Sequence, residues 1–135
     1  MAACYLHLHR LRGGPELTER RKARETIAFV SSGAPDAEEA AARLSSRYGN
    51  TPVAEADVIV ALGGDGFLLQ TLRETMGTGK QVYGMNRGTV GFLMNEFQEE
   101  GLRERLLAAD AEVIRPLEMH TTSDDGSSVH ALAIN

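Results

Sequence analysis

Gly63-Gly64-Asp65-Gly66 sets one carboxylate among three glycines, directly after the apolar run Val58-Ile59-Val60-Ala61-Leu62. Two kinds of chemistry fit that pattern. In the structural one, Asp65 is a helix N-cap: its carboxylate accepts hydrogen bonds from free N–H groups of the first turn, and the glycines only permit the turn. In the catalytic one, the glycines let a phosphate approach bare backbone at the positive end of a helix, and Asp65 acts among the phosphates as a base or a metal anchor. A carboxylate beside a polyphosphate is repelled unless it takes a proton or binds a cation, so the second reading demands chemistry of it.

The flanking residues say what must hold that carboxylate. The run before it is apolar on both faces and rich in β-branched residues, as in a strand buried within a parallel sheet. After it, Leu68, Leu69, Leu72 and Met76 recur at helical spacing. Upstream, Thr26 to Val30 reads as a strand, followed by the turn residues Ser31, Ser32, Gly33 and Pro35. Ala37, Ala40, Ala41, Leu44 and Tyr48 then mark one face of a helix that begins about Asp36 and stops at Gly49-Asn50. Downstream come a strand at Gln81 to Met85 and a helix around Glu99 to Ala109. Strands alternating with helices give right-handed βαβ units, so the expected fold is α/β: an open, mostly parallel, Rossmann-like sheet with helices on both faces.

The C-terminal stretch predicts a β-hairpin. Ala111 to Thr121 and Ser128 to Asn135 are strand-like, and Asp125-Gly126 is a two-residue turn signal. That turn pairs Thr121 with His130 and His120 with Ala131, which sends the two histidines to opposite sides of the ribbon and away from a shared metal. His7 and His9 share a face if extended, but no further ligand stands nearby. No metal ligands are assigned.

Composition narrows the function. The 135 residues suffice for one domain. A formal net charge of −5 argues against a nucleic-acid groove or an anionic membrane as main partner. Residues 1–25 hold six basic and three acidic side chains, are broken by Gly13-Gly14-Pro15, and read as a mobile basic extension ahead of an α/β domain at 26–135. The lone Cys4 leaves no internal disulfide and suits a reducing compartment. No stretch approaches the roughly 18 apolar residues of a membrane span, and the first residues lack the apolar core of a signal peptide. A cytoplasmic location is expected.

A second glycine-rich loop sharpens the reading. In "YGMNRGTVGFLMN", Gly84, Gly88 and Gly91 again follow a strand. Two such loops after neighbouring parallel strands open on one edge of the sheet, where ligands bind in open α/β folds. The plainer alternative is an ordinary turn, with Phe92 and Leu93 as core residues.

Together, Gly63-Gly64-Asp65-Gly66 and Gly84-Met85-Asn86-Arg87-Gly88-Thr89-Val90-Gly91-Phe92-Leu93 resemble the motif pair of NAD kinases, nearest to bacterial, alphaproteobacterial-like members. The first motif is shared with diacylglycerol kinases and 6-phosphofructokinases; the ordered pair is more specific. The resemblance covers about Ile27 to Asn135. It implies transfer of a phosphoryl group from ATP or inorganic polyphosphate, with a divalent cation such as Mg2+, to the adenosine ribose 2′-hydroxyl of NAD. It further implies Asp65 as general base, Gly64 and Gly66 as points of close backbone approach, Phe92 against the adenine, and Asn135 near the nicotinamide-side ribose.

Two departures stand out. Phe67 occupies a position where many relatives have Thr, which removes a hydroxyl available to phosphate or metal. The family's second, glycine-rich β domain, which carries much of the NAD site and the homo-oligomer interface, has no counterpart here, so the chain reads as truncated, with an exposed C-terminal strand edge. Other functions compatible with these residues are a non-catalytic nucleotide-binding or assembly module and a kinase for a lipid or sugar. The second motif disfavours the latter, and so does the lack of a basic amphipathic surface helix.

Overall fold

The computed structural model describes residues 3–6, 26–88 and 91–133. In chain order the elements are β1 (Ala3–Leu6), β2 (Ile27–Ser31), α1 (Pro35–Tyr48), β3 (Val58–Gly63), α2 (Asp65–Glu74), β4 (Gln81–Asn86), α3 (Leu102–Ala108), β5 (Asp110–Val113), β6 (Leu117–Thr122) and β7 (Ser128–Ala133). A five-stranded sheet in the order β2-β3-β4-β1-β5 stands beside a two-stranded ribbon of β6 and β7. Strands β2, β3 and β4 run parallel in continuous register, from Ile27↔Val58 and Val58↔Gln81 to Ser31↔Leu62 and Gly63↔Asn86. Their C-terminal ends, and so both glycine motifs, open on one edge.

Side-chain alternation along these strands builds two cores. Ile27, Phe29, Val60, Leu62, Tyr83 and Met85 face α1 and α3 through Ala37, Ala40, Leu44, Leu102 and Leu106. Ala28, Ile59, Ala61 and Val82 face α2 through Leu68 and Leu72. Helices therefore cover both faces, and all six residues of β3 are buried, which explains its unbroken apolar character. Leu44 is fully buried whereas Leu107 is half exposed. Leu44→Ala is expected to cost about 2–5 kcal/mol, and Leu107→Ala within about 0.5 kcal/mol. Urea denaturation of the two variants, read as the shift in midpoint at constant slope, checks the contrast.

Three expectations are corrected. Ala3–Leu6, within the segment read as a mobile extension, is a strand that pairs antiparallel with β4 and parallel with β5; the other residues of 1–25 lie outside the described ones. The strand expected over 111–121 is two strands, because Ile114-Arg115-Pro116 interrupts it and β5 joins the large sheet. The helix expected from Glu99 begins at Leu102, after Gly101 in a left-handed conformation with φ 64°.

The hairpin also shifts by one residue. Its loop is Ser123 to Ser127, closed by Ser123 N–H donating to Ser127 O at 2.8 Å, with Gly126 at φ 83°. Asp125 accepts from the Ser127 hydroxyl and N–H, which hold its carboxyl below the usual carboxylate range. A longer loop changes the pairing to His120↔His130 and Thr121↔Val129. The two histidines therefore stand directly opposite, on the same face, instead of on opposite sides.

Candidate active site at the strand ends

Asp65 is the first residue of α2, with Gly64 in the N-cap position and no side-chain capping bond. The N-cap reading is thus displaced. Instead the carboxylate reaches across to the second glycine loop, where Oδ2 accepts from Phe92 N–H at 2.8 Å and Oδ1 from Leu93 N–H at 3.0 Å. Both oxygens are engaged, yet a carboxylate has about four acceptor sites, so each keeps capacity for one further donor or a cation. The group is half-buried. Behind it lies the positive end of α2, which favours negative charge on its own side chain or on a bound phosphate.

The second loop is pinned at its base as well as its tip. Arg87 N–H donates to Gly63 O at 2.8 Å, which joins the two motifs directly. Asn95 returns alongside β4: its backbone N–H and side-chain amide both donate to Gly84 O at 2.9 Å, and its carbonyl accepts from Asn86 N–H at 2.8 Å. The Arg87 guanidinium lies 4.4 Å from the Phe97 ring centroid, and its Nε faces Asp36 O at 3.4 Å, so that cation is drawn toward the start of α1. Strand ends, loop and helix start form one tied ledge.

The glycines divide into two groups. A Cβ at Gly63 would lie 2.9 Å from Ser32 Cβ and 3.2 Å from Phe67 Cβ, and one at Gly84 would lie 2.6 Å from Met94 Sδ. One at Gly91 would lie 2.2 Å from Asp65 Oδ1. A methyl at any of these three would force a neighbouring side chain to shift. At Gly64 and Gly66, by contrast, an added Cβ would meet nothing within 4 Å, and neither residue has a positive φ. Nothing within the described residues requires glycine at those two positions.

Set against known proteins, residues 16–109 match the family model of the ATP-NAD kinase N-terminal domain. The chain belongs to the NAD kinase family. Among curated NAD kinases it is 66% identical over 113 residues to that of Mesorhizobium japonicum, a match covering 84% of this chain and 44% of the relative. It is 59% identical over 107 residues to that of Brucella melitensis (79% and 42%) and 56% identical over 111 residues to that of Cereibacter sphaeroides (82% and 44%). The chain thus spans less than half the length of these relatives.

Of the residues singled out from the NAD kinase resemblance, Asp65, Gly64, Gly66 and Phe92 meet at one edge. Phe92 is fully exposed, at 101% relative accessibility, so it is no core residue, whereas Leu93 packs half-buried against the α2 face. Asn135 lies outside the described residues. Phe67 is half-buried against the same core. Sequence reasoning missed the Phe92 and Leu93 amides as partners of Asp65. The signal was present: a glycine placed directly before two residues whose backbone must be approached closely. Within the second motif, the buried Oδ1 of Asn86 has no hydrogen-bond partner among the described residues. No helix among the described residues is long and apolar enough to cross a membrane.

Proposed function

We propose that this chain is the catalytic α/β part of an NAD kinase, which transfers the terminal phosphoryl group of ATP or inorganic polyphosphate to the adenosine ribose 2′-hydroxyl of NAD. Asp65 accepts the hydroxyl proton as the 2′-oxygen bonds to phosphorus, and ADP or the shortened polyphosphate departs. The observation that carries this reading is the Asp65 carboxylate held at 2.8 and 3.0 Å between two glycine loops at the C-terminal edge of a parallel sheet. Phosphoryl transfer needs mainly positioning and charge neutralisation, with one carboxylate near the nucleophile. Gly64 and Gly66, which nothing internal requires, leave backbone open to the substrate. The exposed Phe92 ring offers a face for the adenine, and Asn135 is assigned to the nicotinamide-side ribose or its neighbours.

A divalent cation, Mg2+, neutralises the transferring phosphate when bound. Mg2+ is held by one or two carboxylates together with substrate phosphates and water. That donor set fits this edge, because the carboxylate of Asp65 keeps acceptor capacity beyond its two hydrogen bonds. The proposed setting is cytoplasmic, with homo-oligomers in proteins of the relatives' length.

The double engagement of Asp65 favours one rival: a nucleotide-binding or assembly module in which the carboxylate only anchors the loop. Two proteins separate them: the 135-residue chain, and the same chain continued by the C-terminal part of the Mesorhizobium relative. Each is incubated with NAD, Mg2+ and either ATP or polyphosphate, and NADP is read with an NADP-dependent dehydrogenase. The continued protein is expected to form NADP and the chain alone little or none. No NADP from the continued protein defeats the kinase reading, and robust product from the chain alone defeats the need for further sequence.

A further inference from the structure

The polar face of the β6–β7 ribbon carries chemistry that the strand-end site does not use. Residues two apart on a strand share a face, so Glu118 and His120 on β6 point the same way, and His130 stands opposite His120 on β7. Both imidazoles converge on one carboxylate oxygen. His130 Nε2 is hydrogen-bonded to Glu118 Oε1, and His120 Nε2 lies 3.5 Å from the same atom. The ring centroids are 4.2 Å apart with a 33° tilt. One ligand atom from each of the three residues lies within 4.8 Å of the others, a convergence unique among the described residues. The opposite face is apolar, with Leu117, Met119 and Val129 exposed, so the ligands sit apart from any surface that apolar packing would cover.

We propose that Glu118, His120 and His130 form a binding site for a divalent transition-metal ion of the zinc type. Two imidazole nitrogens and one carboxylate oxygen are a borderline donor set: they suit Zn2+ and its neighbours, whereas Mg2+ and Ca2+ prefer oxygen alone. Bonds of about 2.0–2.2 Å in a tetrahedron place ligand atoms roughly 3.4 Å apart. The His120–Glu118 separation of 3.5 Å already matches, and a bound ion replaces the His130–Glu118 hydrogen bond by inserting between its partners. All three side chains are more than half exposed, so their rotamers adjust at little steric cost. Three protein ligands leave a fourth position for water, as in open zinc sites. Because its ligands come from both strands, the ion clamps β6 to β7. This site is independent of the proposed kinase chemistry.

The test uses the 135-residue chain with Cys4→Ser, His7→Asn and His9→Asn, which removes its other thiol and imidazole ligands. Zn2+ is titrated by calorimetry, and the histidine ring nitrogens are followed by NMR. Expected are one equivalent of bound Zn2+, perturbation of both the His120 and His130 rings, no displacement by excess Mg2+, and at least about tenfold weaker binding for each of Glu118→Gln, His120→Asn and His130→Asn. The proposal is overturned if Zn2+ does not bind, or if binding survives both histidine substitutions, which leaves the cluster as a hydrogen-bonded group only. An unchanged affinity in Glu118→Gln equally overturns the three-ligand site.

Discussion

Asp65→Asn in the continued protein is expected to lower kcat for NADP formation about 10²- to 10⁴-fold, the usual contribution of a general base. The substitution keeps size and shape but removes the carboxylate that the proposed mechanism uses to take the ribose proton. It also has a structural side. Asparagine offers one carbonyl oxygen where aspartate offers two, so one of the Phe92 and Leu93 N–H groups, at 2.8 and 3.0 Å, will face an amide donor. A lost hydrogen bond to a charged group costs about 1.5–3 kcal/mol, which loosens the loop without unfolding the domain. The kinetic split decides between roles: a base shows as a collapse of kcat with KM for NAD little changed, whereas a loop anchor shows as a raised KM with kcat retained, the denaturation midpoint falling in either case. Steady-state kinetics of the variant make that distinction.

How much of this was legible in the sequence depends on the range of the interactions involved. The three parallel strands were readable because β3 is buried on both faces, so its code is a solid apolar run bounded by glycine. Helices α1 and α2 were readable because Ala37, Ala40 and Leu44, and Leu68 and Leu72, repeat at the spacing of one covered face. Strand β1 was not, since a four-residue strand paired to two distant segments leaves no periodic trace of its own. The hairpin register failed for a local reason. Asp125-Gly126 does turn the chain, but Ser123 and Ser127 close a longer loop around it, and a slip of one residue moves every side chain to the other face. That slip concealed the meeting of His120 and His130. At the candidate active edge, Asp65 was legible as the one acid in a glycine turn. Its partners were not, because backbone N–H groups are the same at every residue and only the fold shows which two the carboxylate reaches.

Gly91→Ala tests the same carboxylate without altering it. The new methyl would lie 2.2 Å from Asp65 Oδ1 and 2.6 Å from its Cγ, closer than any nonbonded contact, so either the carboxylate swings away or the loop retreats. Both movements break the bonds from Phe92 and Leu93, and a displacement of about 1 Å at a reacting group can cost about 10²-fold in rate. The expected result in the continued protein is therefore a fall in kcat of about 10²-fold with Asp65 intact, and a loss of about 1–3 kcal/mol in stability from the forced rearrangement. Gly66→Ala is the control for the second effect, because a Cβ there meets nothing within 4 Å and stability should hold. If Gly91→Ala keeps full turnover, Asp65 can leave its present place without penalty, and a base fixed between the two loops is no longer a tenable mechanism. If both glycine variants lose stability alike, the division between internally required and externally required glycines fails, and with it the inference that the backbone at Gly64 and Gly66 is left bare for a substrate.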